Sequence, residues 1–171
     1  INVVDLKNET NSNVKKISFT KKATPDYLWI YSLVKSYEIK NIEELAFKIN
    51  TAAFIQGDRY VLPFTVSEFE EDRNISLSKP VQILIEKCQK NYVNYEELIK
   101  ILKTSYPEIA LEVLTSFIYN LVENDFLISD LRPPICNINP LDYLLSKLEK
   151  GRLKNDLQHL KNMIENYNDL K

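Results

Sequence analysis

Hydrophobic and polar positions change period twice along the chain. From Thr24 they recur at helical spacing, and Leu28, Trp29, Tyr31, Leu33, Val34 and Tyr37 make a wide apolar face. Thr24, Pro25 and Asp26 predict the start of that helix: a hydroxyl cap, a residue that needs no N–H, and an acid on the positive end of the dipole. A second helix is expected from Asn41, with Glu44 three residues on closing a capping box. The period then falls to two. "TAAFIQGDRYVLPF" reads as two strands about a turn at Gln56, Gly57 and Asp58, where Gly57 supplies the positive φ the turn demands. Pro63 lacks a ladder donor and predicts an edge strand or a bend. Beyond the acidic stretch "SEFEEDRN", "ISLS" alternates strictly, with Ile75 and Leu77 on one face and Ser76 and Ser78 on the other.

Helical spacing returns over 80–90, 95–103 and 107–123. The first starts on Pro80, the second follows Asn94 with Glu97 at the reciprocal capping position, and the third starts on Pro107. Apolar residues at 109, 113, 114, 117, 118 and 121 give this third helix a core-facing stripe. A short strand is expected at 126–128. Three strands, three helices and a further strand describe a winged helix-turn-helix. The expected fold is therefore α+β, a three-stranded antiparallel sheet plus three helices, flanked by N-terminal helices and a C-terminal helical segment. The expected organisation is a lead-in with helices over 1–50, including a short alternating segment "KKISFT", the winged module over 51–130, and a proline elbow with C-terminal helices over 131–171. In that last part Asn139–Pro140 starts a helix expected to end at Gly151. Leu153, Leu157, Leu160, Ile164 and Tyr167 then follow in steps of four and three, a heptad seam that packs on a helix of the same protein or of a longer one. The chain opens on Ile1 rather than Met and is expected to be cut from something longer.

Composition narrows the function. With 44% hydrophobic and 27% charged residues the chain is a folded one, and its net charge of −2 argues against a general nucleic-acid or membrane-surface binder. No apolar run approaches the roughly 18–20 residues that span a bilayer. Two glycines exclude a glycine-rich phosphate loop, and two cysteines outside any CxxC pair read as ordinary reduced thiols. The one histidine, His159, has neither metal-ligand spacing around it nor a nucleophile near it, so no metal and no self-contained catalysis are expected. The third helix carries Glu108, Glu112 and Glu123 and no cation, so it cannot neutralise phosphates as a DNA-recognition helix does. A sheet margin can instead accept a peptide as an added strand. Ile75 and Leu77, with Val113, Phe117 and Leu121 of the third helix, are the candidate pocket for it; the alternative is that these five are simply core.

"FLISDLRPPI", followed by "NPLDYLLSKLEKG", resembles the lantibiotic dehydratase family. "PDYLWIYSLVKSYE", "FIQGDRYVLPF" and "NISLSKPVQILIE" extend the similarity across roughly residues 23–150. The resemblance implies an enzyme that dehydrates serines and threonines of a ribosomally made precursor peptide. Glutamate is transferred from glutamyl-tRNA, the co-substrate, and then eliminated by a further domain. It implies that the winged module holds the precursor's leader by strand addition, and that this chain alone has no activity and binds no cofactor. It places Asp130 at the glutamyl-transfer site; the alternative is a corner held by Asp130 or Arg132 bonding to backbone. Arg132, Pro133 and Pro134 form the expected structural elbow. The implied partners are the leader peptide, the remainder of the dehydratase, glutamyl-tRNA through other parts, and a cyclase and a transporter in a membrane-associated assembly. The implied location is cytoplasmic, with peripheral membrane association only through those partners. A purely structural fragment of the same enzyme and a winged-helix transcription regulator are the competing readings.

Overall fold

In the computed structural model, which describes residues 22–63, 73–134 and 138–170, Asp26 rather than Thr24 caps the first helix, α1 (Tyr27–Lys40). The Asp26 carboxylate accepts the Trp29 N–H at 3.1 Å. The buried stripe of α1 is Ile30, Val34 and Glu38, at steps of four, while Leu28 and Trp29 stay exposed. Asn41 closes this helix instead of opening another. Its N–H and its Nδ2 both reach the Tyr37 carbonyl, at 3.0 and 2.9 Å. The helix expected from Asn41 is thus reduced to a 3-10 turn, Ile42–Glu44, which leads into strand β1 (Ala46–Ile49). There the period-two pattern wins, with Phe47 and Ile49 buried. The expected segment "KKISFT" and most of "SEFEEDRN" lie outside the described residues.

Strands β2 (Phe54–Gln56) and β3 (Arg59–Leu62) join through a two-residue turn in which Gly57 takes φ 62°. Strand β4 (Arg73–Ser76) pairs antiparallel with β3, Ile75 opposite Tyr60, giving the order β2-β3-β4. The strand before Pro63 is therefore central, not an edge, and it ends at Leu62 before the missing donor matters. Helices α2 (Lys79–Cys88), α3 (Tyr95–Ser105) and α4 (Leu111–Glu123) follow. Helix α4 starts after the expected Pro107, because Lys103 Nζ ties the Pro107 and Ile109 carbonyls, at 2.9 and 2.6 Å, into a separate turn. A two-residue strand, β5 (Val93–Asn94), sits between α2 and α3.

The short strand after α4, β6 (Leu127–Ser129), does not join β2-β3-β4. It pairs with β1, whose other side pairs with β5, in a second antiparallel sheet β5-β1-β6. The class is α+β, as expected, but with two three-stranded sheets instead of one. Helix α5 (Pro140–Lys147) is capped by Asn139, whose Oδ1 accepts the Leu141 N–H at 3.0 Å. It stops four residues before Gly151, which instead precedes α6 (Arg152–Asp169). The heptad seam packs inside this chain: Leu153, Leu157 and Ile164 close on Ile30, Val34, Leu131, Leu141 and Leu144. Tyr167 remains exposed. A larger cluster gathers Phe47, Leu62, Leu84, Leu98, Ile118 and Phe126 between the two sheets and α2–α4. Burial of each such side chain is worth roughly 1.5–3 kcal/mol. Among the described residues no helix is long and apolar enough to cross a membrane.

Candidate functional site

Helix α4 has no glycine to end on. Asp125 takes the left-handed conformation instead, at φ 63°, the one described non-glycine residue to do so. Its own N–H and that of Phe126 fold back on the Val122 and Leu121 carbonyls, at 3.1 and 2.9 Å. Asn50 then locks the corner, Nδ2 donating to the Asp125 carbonyl at 2.9 Å and its N–H to the Phe126 carbonyl at 3.0 Å. This geometry turns the carboxylate inward, where the residue is only 6% exposed.

Four donors converge on it. Oδ2 accepts from Tyr31 Oη and Arg73 Nη1 and pairs with Lys35 Nζ, each at 2.8 Å. Oδ1 lies 2.8 Å from Arg132 Nη2 but outside hydrogen-bond alignment, so charge alone holds it. Burial pushes the Asp125 carboxyl up, yet Arg132, Lys35 and Tyr31 outweigh it and hold the group below its ordinary 3.8. Arg132 in turn grips Glu38 through Nε–Oε1 at 2.9 Å and Nη2–Oε2 at 2.5 Å, and its guanidinium stacks 5.0 Å from the Tyr31 ring centroid. Burial opposes the charge on Arg132, but Glu38 and Asp125 push its pKa above the ordinary value. Glu38, fully buried, also accepts the Ser129 N–H at 3.0 Å. Burial and the nearby Asp125 raise Tyr31, so its hydroxyl stays a donor.

The charged pair of the proline elbow splits. Arg132 points inward to Glu38, a carboxylate rather than backbone. Asp130 points the other way and meets Lys147 Nζ at 3.1 Å, partly exposed, while its carbonyl accepts from Tyr143 Oη at 2.9 Å. Asp130 lines a polar cleft of about 500 Å³ with Tyr37, Glu44, Asn94, Lys147 and Lys150. Pro133 is buried and its carbonyl accepts from Tyr27 Oη at 3.2 Å, whereas Pro134 is exposed. Of the five pocket candidates, Ile75, Leu77 and Phe117 pack half-buried on the larger cluster to which buried Leu121 belongs. Val113 stands apart at 58% exposure. Cys88 is buried, and burial followed by the Glu97 charge pushes its thiol up to about 12, so it stays protonated. Cys136 lies outside the described residues. Among the described residues no cluster of metal-ligating side chains occurs.

Sequence reading missed the Glu38 and Asp125 partners of Arg132, which stand 94 and 7 residues from it. One signal was available. Glu38 falls on the same helical stripe as Ile30 and Val34, and a carboxylate on an apolar stripe demands a buried partner.

Two small sheets held by one buried ion cluster define a structural unit whose inner charges serve architecture and whose accessible features are a sheet margin and a polar cleft. The whole chain, residues 1–171, matches the family described as "Lantibiotic dehydratase, N terminus", and it belongs to that family. It is 29% identical over 140 residues to the subtilin biosynthesis protein SpaB of Bacillus subtilis, covering 82% of this chain and 14% of that protein. It is 28% identical to the nisin biosynthesis protein NisB of Lactococcus lactis subsp. lactis, over 76% of this chain and 13% of that one. With the epidermin biosynthesis protein EpiB of Staphylococcus epidermidis identity is 30%, over 97% of this chain and 18% of that one. The chain thus spans less than a fifth of these relatives. Its fold is similar to the crystal structure of the tRNA dependent lantibiotic dehydratase MibB from Microbispora sp. 107891. The TM-score is 0.67 at 16% identity, covering 86% of this chain and 16% of that one.

Proposed function

We propose that this segment binds the leader of a ribosomally made precursor peptide as an added strand along β4, within a dehydratase that modifies serines and threonines by tRNA-dependent glutamylation. The observation that carries the reading is the margin of the β2-β3-β4 sheet. The Leu77 N–H donates to the Asp58 carbonyl at 2.8 Å, so the peptide groups of 75 and 77 face β3 and the Ser76 N–H faces the opposite side, while the Ser76 carbonyl accepts the Ser78 N–H at 2.8 Å. Among the described residues no strand lies on that side. Ile75, Leu77 and Phe117 are half-buried, apolar and within reach of water, and they pack on the same core cluster that contains buried Leu121. Exposed Val113 extends the apolar surface along α4. Main-chain bonds would give affinity and these side chains specificity.

On this reading β2-β3-β4 with α2, α3 and α4 is a winged helix-turn-helix used for peptide instead of duplex, in a three-part chain divided near residues 50 and 130. Helix α4 supports it, since its charges are Glu112 and Glu123 and no cation is available for phosphate. The membership in the dehydratase family supports a precursor peptide and the rest of the enzyme as partners. Glutamyl-tRNA is the co-substrate of the whole enzyme. A glutamyl ester turns a poor leaving group, hydroxide, into a carboxylate, and Asp130, at the mouth of its cleft, faces that transfer. Arg132, Pro133 and Pro134 fix the exit from the winged module.

The test is a fluorescence anisotropy titration of the labelled leader from the neighbouring precursor into the dehydratase carrying this segment, against a scrambled peptide. Saturable binding of the leader alone is expected. No binding up to about 1 mM, a free energy of only about −4 kcal/mol, would leave a purely structural segment. Retention of random duplex DNA at low salt would favour a regulator.

A further inference from the structure

The margin on which the leader is placed is not mechanically separate from the elbow. Arg73 opens β4, and its Nη1 meets Asp125 Oδ2 at 2.8 Å. The same carboxylate holds Tyr31 and Lys35 of α1 and faces Arg132 across 2.8 Å. Arg132 bonds Glu38 at 2.5–3.1 Å, and Glu38 bonds the Ser129 N–H at 3.0 Å, one residue before Asp130. Every link is a short contact between groups that are largely withdrawn from water. Losing Arg132 would leave fully buried Glu38 without its ion-pair partner, and Asp125 Oδ1 without the charge that faces it.

Asp125 is the one residue of this chain of contacts that touches both ends. Its left-handed backbone, fixed by Asn50 and the last turn of α4, sets where the carboxylate stands, so Arg73 and Arg132 are registered to a common point. We propose that Asp125 is a positioning residue that couples occupancy of the β4 margin to the order of α1 and of the elbow bearing Asp130, an inference that rests on leader binding at β4. A strand added to β4 restrains Arg73, Arg73 restrains the Asp125 carboxylate, and the restraint passes through Arg132 and Glu38 to the 129–132 backbone. The coupling is reciprocal: whatever orders the elbow tightens the leader by the same factor.

Amide hydrogen exchange read by mass spectrometry on the full dehydratase tests this, with the leader peptide of its own precursor as the probe. Leader addition is expected to slow exchange in peptides covering β4 and also in those covering 30–38 and 127–132. In Asp125→Asn the slowing at β4 persists, the distal slowing is lost, and leader affinity weakens by about fivefold, the size of a modest coupling. Arg73→Gln cuts the same route from the sheet side and is expected to give the same pattern, which keeps the test intact should Asp125→Asn fail to fold. Distal slowing absent in the wild type, or surviving in both variants, overturns the coupling while leaving leader binding in place. Saturable binding without slowing at β4 overturns the strand-addition reading and the coupling with it.

Discussion

The two small sheets are built on opposite terms. Strands β2, β3 and β4 are successive in the chain, β2 and β3 joined through a glycine turn, and their order ends at β4 among the described residues. Strands β5, β1 and β6 come together from three distant places, and β1 is flanked on both sides. The first sheet needs only local register and has a margin to offer. The second needs a clamp, and Glu38, Asp125 and Arg132 supply it beside β6. The difference teaches that the few buried charges, Glu38 and Asp125 with their partner Arg132, serve assembly, while the margin proposed for the leader offers apolar and main-chain groups.

The largest effect should come from the clamp. Arg132→Ala strands fully buried Glu38 and is expected to cost about 3–5 kcal/mol in urea unfolding, since removing one partner leaves an uncompensated charge. A loss below about 1 kcal/mol would mean that the β5-β1-β6 sheet stands without it. Acid comes next. Asp125 titrates below 3.8 in the folded protein, so its stabilisation is complete above that value and fades as pH falls through the folded pKa. The stability gap between wild type and Asp125→Asn should narrow toward low pH; a gap independent of pH would deny the carboxylate its role.

The sheet margin gives a smaller effect on stability and a larger one on binding. Ser76→Pro removes an N–H that faces away from β3. It is expected to change stability by no more than about 1.5 kcal/mol, yet to weaken leader binding at least about tenfold. Leu77→Pro would not separate the two, because the Leu77 N–H is already committed to Asp58. The smallest effect belongs to Asp130→Ala. Its pair with Lys147 is partly exposed, so the melting temperature should shift little, by the equivalent of about 1 kcal/mol or less. A loss of glutamylation in the intact enzyme with that fold retained is the expected outcome; unchanged glutamylation would leave Asp130 a surface partner of Lys147.

What could be read from the sequence follows the same division. The Gly57 turn, the alternation of Ile75 and Leu77 and the cap at Asn139 are decided by neighbours within a few residues, and they stand where expected. Two helices start later than the local signals imply, by two and four residues, because another side chain sets the boundary: Asp26 caps in place of Thr24, and Lys103 pins the turn after Pro107. Asn41 was assigned to the wrong helix, since a single asparagine can cap either the end of one helix or the start of the next. The second sheet was missed because β1 earns its strand only by pairing with residues about 45 and 80 positions away, and no local propensity reports that. The elbow was visible as a phrase, FLISDLRPP, but its meaning lay in Glu38 on α1.

Strand addition at β4 is tested most directly by the exchange of a single amide. The Ser76 N–H of the intact dehydratase, followed with and without its leader peptide, should exchange markedly more slowly once the leader is bound. A leader that binds saturably while that amide exchanges at its free rate would place the peptide elsewhere and contradict the reading.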